Sequence, residues 1–370
     1  MDFDFSDEQK TIRDEARKLL SARCDRHRVR KLLEDKAPYD KELWATVAEN
    51  GWLGTAIAED FGGLGLGHVS LCVIAEELGR ALAPLPVSSS LYLAAEALVL
   101  SGDTTMQQEL LPALASGQLI GTLALSEAML PQHALSRLKT RVVGGQLSGI
   151  KLPVPHGQIA DFAVVVAHNE NGGVGLYHVD LRGPGVETQP LQTIDAAQPQ
   201  ARIVFRDAPA RLLSADGERI VPKLLDRASV LIAFEQIGGA TAALESACEY
   251  AKIRKAFGRQ IGSFQAIKHK LADMYTKIEI ARSNAFYAAW ALEADAPELA
   301  LAAAAARLAA TEAFEFAAKE TIQVHGGIGA TWEADPHLFY RRARALGSLL
   351  DSTPVWRDRL VEELERQFAA

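Results

Sequence analysis

A change of hydrophobic period in the middle of the chain limits its architecture more than any other feature. Residues 118–215 contain short β-branched runs, such as DFAVVVAH and ARIVFRDA, separated by Gly, Pro, Asn and Asp. This pattern predicts a small antiparallel β-barrel. Residues 1–117 and 219–370 show helical periodicity instead. The predicted fold class is therefore α+β with several domains: a helical N-terminal domain, a β-barrel middle domain and a C-terminal helical bundle.

The two helical zones also carry signals for where helices begin and end. Ser6 and Gln9 have the spacing of a capping box ahead of DEQKTIRDEARKLLSA. The Ala-rich stretch from residue 285 to 320 interleaves Leu, Phe and Trp and contains ADAP. We expect it to form two long helices that break at ADAP, because Ala is the best helix former and allows close packing.

Composition excludes several classes of protein. The net charge of −8 argues against binding to nucleic acid or to an anionic membrane. The three Cys are far apart without a CxxC spacing, which predicts reduced thiols in a cytoplasmic protein and no metal site. The acidic, amphipathic N-terminus does not resemble a signal peptide, and no apolar run reaches about 18 residues. No GxGxxG follows a predicted strand, so a Rossmann site is not indicated.

Two segments of the C-terminal zone carry features of anion binding. In YAKIRKAFGRQIGSFQAIKHKLADM, residues 250–274, three basic side chains crowd a glycine turn between helices, an arrangement suited to phosphate or pyrophosphate. In TIQVHGGIGATWEADPHLFYRRARAL, residues 321–346, a Gly pair interrupts a helical pattern and would let backbone approach an anion. A solvated helix–turn–helix corner and a plain C-cap Gly pair explain these segments equally simply.

Together the two segments resemble the acyl-CoA dehydrogenase family, in RKAFGRQIGSFQAIKHKLADM and in QVHGGIGATWE. AEDFGGLGLG resembles the family's N-terminal loop, and LPALASGQLIGTLALSE resembles its entry to the barrel. The resemblance implies a helical N-terminal domain, a β-barrel and a C-terminal four-helix bundle. It also implies desaturation of an acyl-CoA with hydride transfer to FAD, and an electron-transfer flavoprotein as the electron acceptor.

The resemblance also implies cofactor contacts at individual positions. The matching residues are Arg254, Phe257, Gln265, Gln323, Gly326 and Gly327, which would contact the pyrophosphate and adenosine side of an FAD across a subunit interface. An Arg fork and exposed backbone suit a diphosphate. Because such a site is built from two chains, the resemblance implies a homodimer, a homotetramer or a heterotetramer with a sister chain.

The predicted flavin-facing stretches depart from the family pattern. In LALSEAMLPQHAL, Ser126 and Glu127 match the family loop, but its Gly-Ser-Asp run is missing. Where the family usually has Trp-Ile-Thr, this chain has Pro153, Val154 and Pro155. The chain therefore lacks a hydroxyl there, and Pro also lacks a backbone N–H. Flavin binding by this middle domain, with Ser126 as its remaining contact, is thus an open expectation.

The catalytic base is the second departure. Aligned without gaps from Gly326, the position where most family members carry a Glu falls on Leu350, with Asp351 directly after it. Asp351 is then a catalytic carboxylate shifted by one residue, or only a polar residue ahead of a helix that begins near Pro354.

A minority of the family places the base at the position of Ala228, and Glu235 lies seven residues further on in an apolar helix. Glu235 is either a second candidate base or one half of a buried structural ion pair.

Two functional hypotheses remain open at this point. In the first, the chain is a homo-oligomeric acyl-CoA dehydrogenase with Asp351, or less favourably Glu235, as base. In the second, it is a base-deficient subunit that completes the FAD site of a sister chain, as in the heteromeric acyl-CoA dehydrogenases of bacterial steroid and bulky acyl-CoA degradation that it resembles. A flavin-free protein with other CoA chemistry is a remote third.

Overall fold

The chain forms helices before and after one eight-stranded sheet. The computed structural model describes residues 5–127 and 134–369. The α-helices are α1 (Asp7–Arg23), α2 (Arg26–Glu34), α3 (Lys41–Glu49), α4 (Gly67–Ala81), α5 (Glu96–Ser101), α6 (Thr104–Ala115), α7 (Gly217–Ile253), α8 (Gln265–Glu293), α9 (Leu299–His325), α10 (Pro336–Ser348) and α11 (Thr353–Ala369). A π-helical segment, Ser88–Ala95, runs directly into α5.

The sheet lies between residues 121 and 214. Its strands are β1 (Gly121–Ala124), β2 (Arg141–Val143), β3 (Gln146–Pro155), β4 (Phe162–His168), β5 (Val174–Asp180), β6 (Val186–Leu191), β7 (Gln200–Pro209) and β8 (Arg211–Ser214). Their order is β6-β7-β3-β2-β4-β5-β8, with β1 also paired to β4. A separate two-residue hairpin joins β9 (Lys255–Ala256) to β10 (Arg259–Gln260).

The sheet differs from the predicted antiparallel barrel in two respects. β1 and β2 both pair with β4 in parallel, so the sheet is mixed and not purely antiparallel. β1 reaches β4 by a long connection, which parallel pairing requires. Among the described residues, β6 and β8 are not hydrogen-bonded to each other, and the sheet remains open by that criterion.

The predicted helix signals in both helical zones are confirmed. The Ser6 hydroxyl accepts the backbone N–H of Gln9, and the Gln9 side chain accepts the backbone N–H of Ser6. α8 ends at Glu293 and α9 begins at Leu299, on either side of ADAP. Among the described residues, no helix has both the length and the apolar character needed to cross a bilayer.

Backbone contacts divide the chain into two compact units. One, here called the helical unit, comprises Met1–Lys31, Cys72–Ala83 and Ser229–Ala370; the other, the sheet unit, comprises Leu32–Leu71 and Pro84–Ala228. Inside the helical unit α9 packs against α8, α10 and α11. The backbones of its helices α4 and α7 approach closely: a Cβ added to Gly79 would lie only 1.8 Å from the Glu235 carbonyl oxygen. Glycine is thus required at this crossing.

Candidate active site and cofactor surface

The two C-terminal motifs lie next to each other in the helical unit. The ring of Tyr250, in the last turn of α7, stacks on the imidazole of His325 at the end of α9, with centroids 4.1 Å apart and planes inclined by 22°. The Thr321 hydroxyl of α9 also donates to the Ala243 carbonyl of α7, at 2.9 Å. Because these contacts join the two helix ends, residues far apart in sequence share one surface.

The first motif forms a turn that is exposed to solvent. Arg254 follows α7; its N–H donates to the Tyr250 carbonyl at 2.9 Å, and its own carbonyl accepts the Ile261 N–H at 2.8 Å. The hairpin between these bonds carries Phe257, which is 96% exposed and has φ +51°. An apolar ring left this exposed is not part of a core, which indicates a contact surface.

Gln265 of this first motif is also exposed, where it begins α8.

The second motif is exposed in the same way. Gln323, Gly326 and Gly327 are all accessible, and a Cβ added to either glycine would meet no atom within 4 Å. The Gly326 N–H donates back to the carbonyls of Gln323 and Ile322, so it closes α9. The stack of Tyr250 on His325 brings this glycine segment to the same end of the helices as Arg254. A guanidinium and open glycine backbone are both groups that suit a diphosphate, such as the one in FAD.

In the sheet unit, a buried ion pair holds the segment that contains Ser126. The Lys151 ammonium donates to the Leu125 carbonyl at 3.0 Å and to Glu127 Oε1 at 2.8 Å, and Ser126 lies between those two residues. Burial lowers the pKa of Lys151 to about 8, against the opposing effect of Glu127. Burial acts to raise the pKa of Glu127, but the charge and hydrogen bond of Lys151 lower it overall. Glu127 thus belongs to a structural ion pair.

The second predicted flavin-facing stretch, residues 153–155, has few hydrogen-bond donors. Val154 is fully buried, and the Pro155 carbonyl accepts the Thr122 hydroxyl at 2.6 Å. Neither Pro153 nor Pro155 has an N–H to donate. The part of the flavin loop from Ala128 to His133 lies outside the described residues. Ser126 itself is buried, and its carbonyl accepts the Leu152 N–H at 2.9 Å.

Leu350 and Asp351 lie in a tight reversal between α10 and α11. Leu350 is 1% exposed, and its carbonyl accepts the indole N–H of Trp356 at 2.5 Å. Upstream, the buried Arg307 donates to the Leu346 carbonyl at 2.5 Å. Asp351 is half-buried and has φ +78°, a left-handed backbone that Asp adopts more readily than most residues. Two buried donors, Trp356 and Arg307, therefore hold the backbone of this reversal at Leu350 and at Leu346.

Glu235 forms a buried ion pair with Arg342 of α10. The carboxylate oxygen and the guanidinium nitrogen are 3.5 Å apart, and the two residues are 5% and 1% exposed. Arg342 also donates to the carbonyls of Leu82 and Ala83, at 3.1 and 3.4 Å. Of the two roles considered for Glu235, a catalytic base or one half of a buried ion pair, these contacts match the ion pair. Ala228, the minority base position, is completely buried.

Sequence reasoning missed a second buried network, in the sheet unit. Glu96 accepts from Arg227 Nε at 2.6 Å and contacts His68 Nε2 at 2.7 Å. Burial acts to raise the pKa of Glu96, but His68 and Arg227 lower it overall. The available signal was an acid inside the apolar run SSLYLAAEALVLSG, since such an acid needs a partner.

A cavity of about 430 Å³ in the helical unit contains none of the predicted site residues. Its walls include Arg17, Glu77, Arg80 and Glu245. These charges pair with one another, Arg17 with Glu77 at 2.6 Å and Arg80 with Glu245. In the described part of the chain, no group of three or more His, Cys, Asp or Glu side chains is suited to hold a metal ion.

Comparison with known proteins identifies the family. Residues 6–118 match the N-terminal domain of acyl-CoA dehydrogenases and residues 215–349 match the C-terminal domain. The acyl-CoA dehydrogenase IpdE2 of Mycobacterium tuberculosis is 35% identical over 349 residues, which cover 94% of each chain.

Two solved structures share the fold. One is a variant of the Tcur3481-Tcur3483 steroid ACAD, with a TM-score of 0.89 and 31% identity over 98% of this chain and 99% of the other. The other is the ChsE4-ChsE5 complex of Mycobacterium tuberculosis, with a TM-score of 0.90 and 27% identity over 99% of both. The chain thus belongs to the acyl-CoA dehydrogenase family, and the reaction it serves is FAD-dependent α,β-desaturation of an acyl-CoA thioester.

Proposed function

We propose that this chain is the base-deficient subunit of a heteromeric acyl-CoA dehydrogenase and completes the FAD site of a sister chain. The observation that carries the proposal is Leu350. This leucine occupies the position where the family resemblance expects the base, and its side chain is buried. A leucine has no group that accepts a proton, and abstraction of the substrate α-proton requires one within hydrogen-bond reach.

A shift of register that would bring Asp351 into the position of Leu350 is opposed from both sides. It would break the hydrogen bond from Trp356 to the Leu350 carbonyl and strain the one from Arg307 to the Leu346 carbonyl. Both donors are buried, so neither would regain a hydrogen bond to water. The sister chain then supplies the carboxylate.

The contribution of this chain to FAD lies on the exposed surface of the helical unit. Arg254 would bind the pyrophosphate through its guanidinium fork, and Phe257 would cover the adenosine side. Gln265, Gln323, Gly326 and Gly327 would complete the contact, and Ser126 is a further candidate contact in the sheet unit. FAD held by these residues would supply the acceptor for the hydride that leaves the β carbon of the substrate. The exposure of Phe257 supports a partner that covers it.

The finer architecture and the partners are part of the same proposal. We infer that the open sheet curls into the family's small barrel, that the C-terminal helices form a four-helix bundle, and that the domain boundaries are 1–117, 118–215 and 219–370. An electron-transfer flavoprotein would reoxidise the flavin in the cytoplasm. The substrate would be a bulky acyl-CoA, which is supported by similarity to a solved steroid ACAD.

A homo-oligomer with Asp351 as its base is the second candidate function. The observation that favours it is the position of Asp351, which follows Leu350 directly and is half-buried. Glu235 is a weaker candidate, because its carboxylate already pairs with Arg342.

A visible spectrum separates the two candidates. The chain is purified alone and after co-expression with a candidate sister chain, and each sample is titrated with acyl-CoA under anaerobic conditions. We expect a colourless protein alone and a yellow complex that is bleached by substrate. A yellow protein that bleaches without any partner would overturn the proposal and establish the homo-oligomer.

A further inference from the structure

We infer that His325 accepts a hydrogen bond from the adenosine half of the FAD that this chain helps to hold. The inference rests on the proposed function and adds one residue to its cofactor surface. Of the second C-terminal motif, only Gln323, Gly326 and Gly327 are implied by the family resemblance. His325 lies between them, as the last residue of α9.

The hydrogen bond of one ring nitrogen determines what the other can do. His325 Nδ1 lies 2.8 Å from the Thr321 carbonyl oxygen. A carbonyl oxygen only accepts, so Nδ1 carries the hydrogen. Burial lowers the pKa of His325, which favours the neutral ring. In a neutral ring protonated at Nδ1, Nε2 has a free lone pair and is an acceptor.

The ring is held in place, and the described residues make no use of this lone pair. The stack on Tyr250 fixes the plane of the imidazole, with centroids 4.1 Å apart. No hydrogen bond among residues 5–127 and 134–369 uses His325 Nε2. The ring is only half-buried, so a ligand can reach it.

The chemistry of the neighbouring groups selects adenosine over phosphate. Arg254 only donates hydrogen bonds, and it suits phosphate oxygens, which only accept. A bare Nε2 would repel those oxygens but matches the adenine amino group and the ribose hydroxyls, which donate. His325 therefore adds an acceptor to a surface whose guanidinium only donates.

The test uses the complex of this chain with its sister chain, stripped of FAD and titrated again. H325F keeps an aromatic ring against Tyr250 but removes the acceptor, whereas H325N retains one. One neutral hydrogen bond corresponds to about threefold to tenfold in affinity. We expect H325F to weaken FAD and ADP binding by that factor and pyrophosphate binding not at all. H325N should stay close to wild type.

Competition by ADP and by inosine diphosphate shows which adenosine group donates. If the amino group donates, wild type should bind ADP more tightly than inosine diphosphate, and H325F should bind the two equally. If a ribose hydroxyl donates, wild type and H325F should each bind the two nucleotides with equal affinity. Unchanged FAD affinity in H325F, or an equal loss for pyrophosphate, would overturn the inference. If H325F does not assemble, a loss of FAD affinity in H325N as large as tenfold overturns it instead. A wild-type complex that never binds FAD would contradict the proposed function and not this residue.

Discussion

The carboxylate of Glu235 and the guanidinium of Arg342 lie 3.5 Å apart in the interior of the helical unit. Removing one partner of a buried pair leaves a charge without compensation, which costs about 3–5 kcal/mol. We expect E235L to lower the free energy of unfolding by roughly that amount, and E235L/R342L to cost less than the sum of the two single substitutions. Urea denaturation of the four proteins measures the coupling. Strict additivity would show that the two side chains do not stabilise each other.

Asp351 provides a direct test of whether this chain carries its own base. If the sister chain supplies the base, D351N should leave turnover of the complex within about twofold of wild type, because no proton transfer depends on it. D358N, on the exposed face of α11, is the matched control. Loss of substrate bleaching in D351N alone, with FAD still bound, would restore Asp351 as the base.

The same position offers a prediction about stability. Asp351 has φ +78°, and left-handed backbone costs a non-glycine residue about 1–2 kcal/mol. D351G should therefore raise the free energy of unfolding by up to about 1 kcal/mol, since glycine also gains freedom in the unfolded chain. Chemical denaturation of D351G and wild type measures the difference. A destabilised D351G would mean that the carboxylate makes contacts worth more than the strain.

Lys151 predicts a pH dependence of stability in the alkaline range. Its pKa is about 8 in the folded protein, against the ordinary lysine value of 10.5 that applies to the unfolded chain. Between these values the folded protein has lost the proton and the unfolded chain still binds it, so unfolding takes up a proton. The free energy of unfolding should rise with pH across this window, by up to about 1.4 kcal/mol per pH unit. Denaturant midpoints from about pH 7.5 to about pH 10.5 should rise less in K151M than in wild type and in K139M, which removes an exposed lysine. Parallel curves for K151M and wild type would contradict this.

The contact between α4 and α7 predicts which glycine is required for folding. A Cβ at Gly79 would lie 1.8 Å from the Glu235 carbonyl oxygen, whereas one at Gly327 would meet nothing within 4 Å. We expect G79A to lower the free energy of unfolding by about 3 kcal/mol or more, because backbone atoms cannot move aside as a side chain can. G327A should melt at the temperature of wild type. Equal melting temperatures for G79A and G327A would show that the helices separate at little cost.

Elements of the fold that depend on interactions between neighbouring residues could be predicted from the sequence, whereas those that depend on distant residues could not. The Ser6 capping box and the helix break at ADAP involve neighbouring residues, and both were predicted. The β-branched runs DFAVVVAH and ARIVFRDA correspond to strands β4 and β7, as predicted. The two edge strands β6 and β8 were missed, because VETQPL and RLLS are short and mostly accessible to solvent. The parallel pairing of β1 with β4 joins distant segments and leaves no periodic signal.

The candidate site shows the same limit. Spacing and resemblance indicated Arg254 and Gly326, but not that Tyr250 and His325 bring their segments together. Whether Glu235 was a base or half of an ion pair depended on Arg342, 107 residues away. An ion-pair partner at that distance in sequence can be identified only from the tertiary structure.

The division of the helical unit into three chain segments affects the order in which the protein can be made. Met1–Lys31 and Cys72–Ala83 leave the ribosome long before Ser229–Ala370, which provides the rest of their core. During synthesis the apolar face of α1 and the glycine surface of α4 therefore stay exposed until about 150 further residues have been added. The ribosome adds about 5–20 residues per second. A nascent chain in this state has a window of several seconds or more in which chaperones can bind, or in which neighbouring nascent chains can associate.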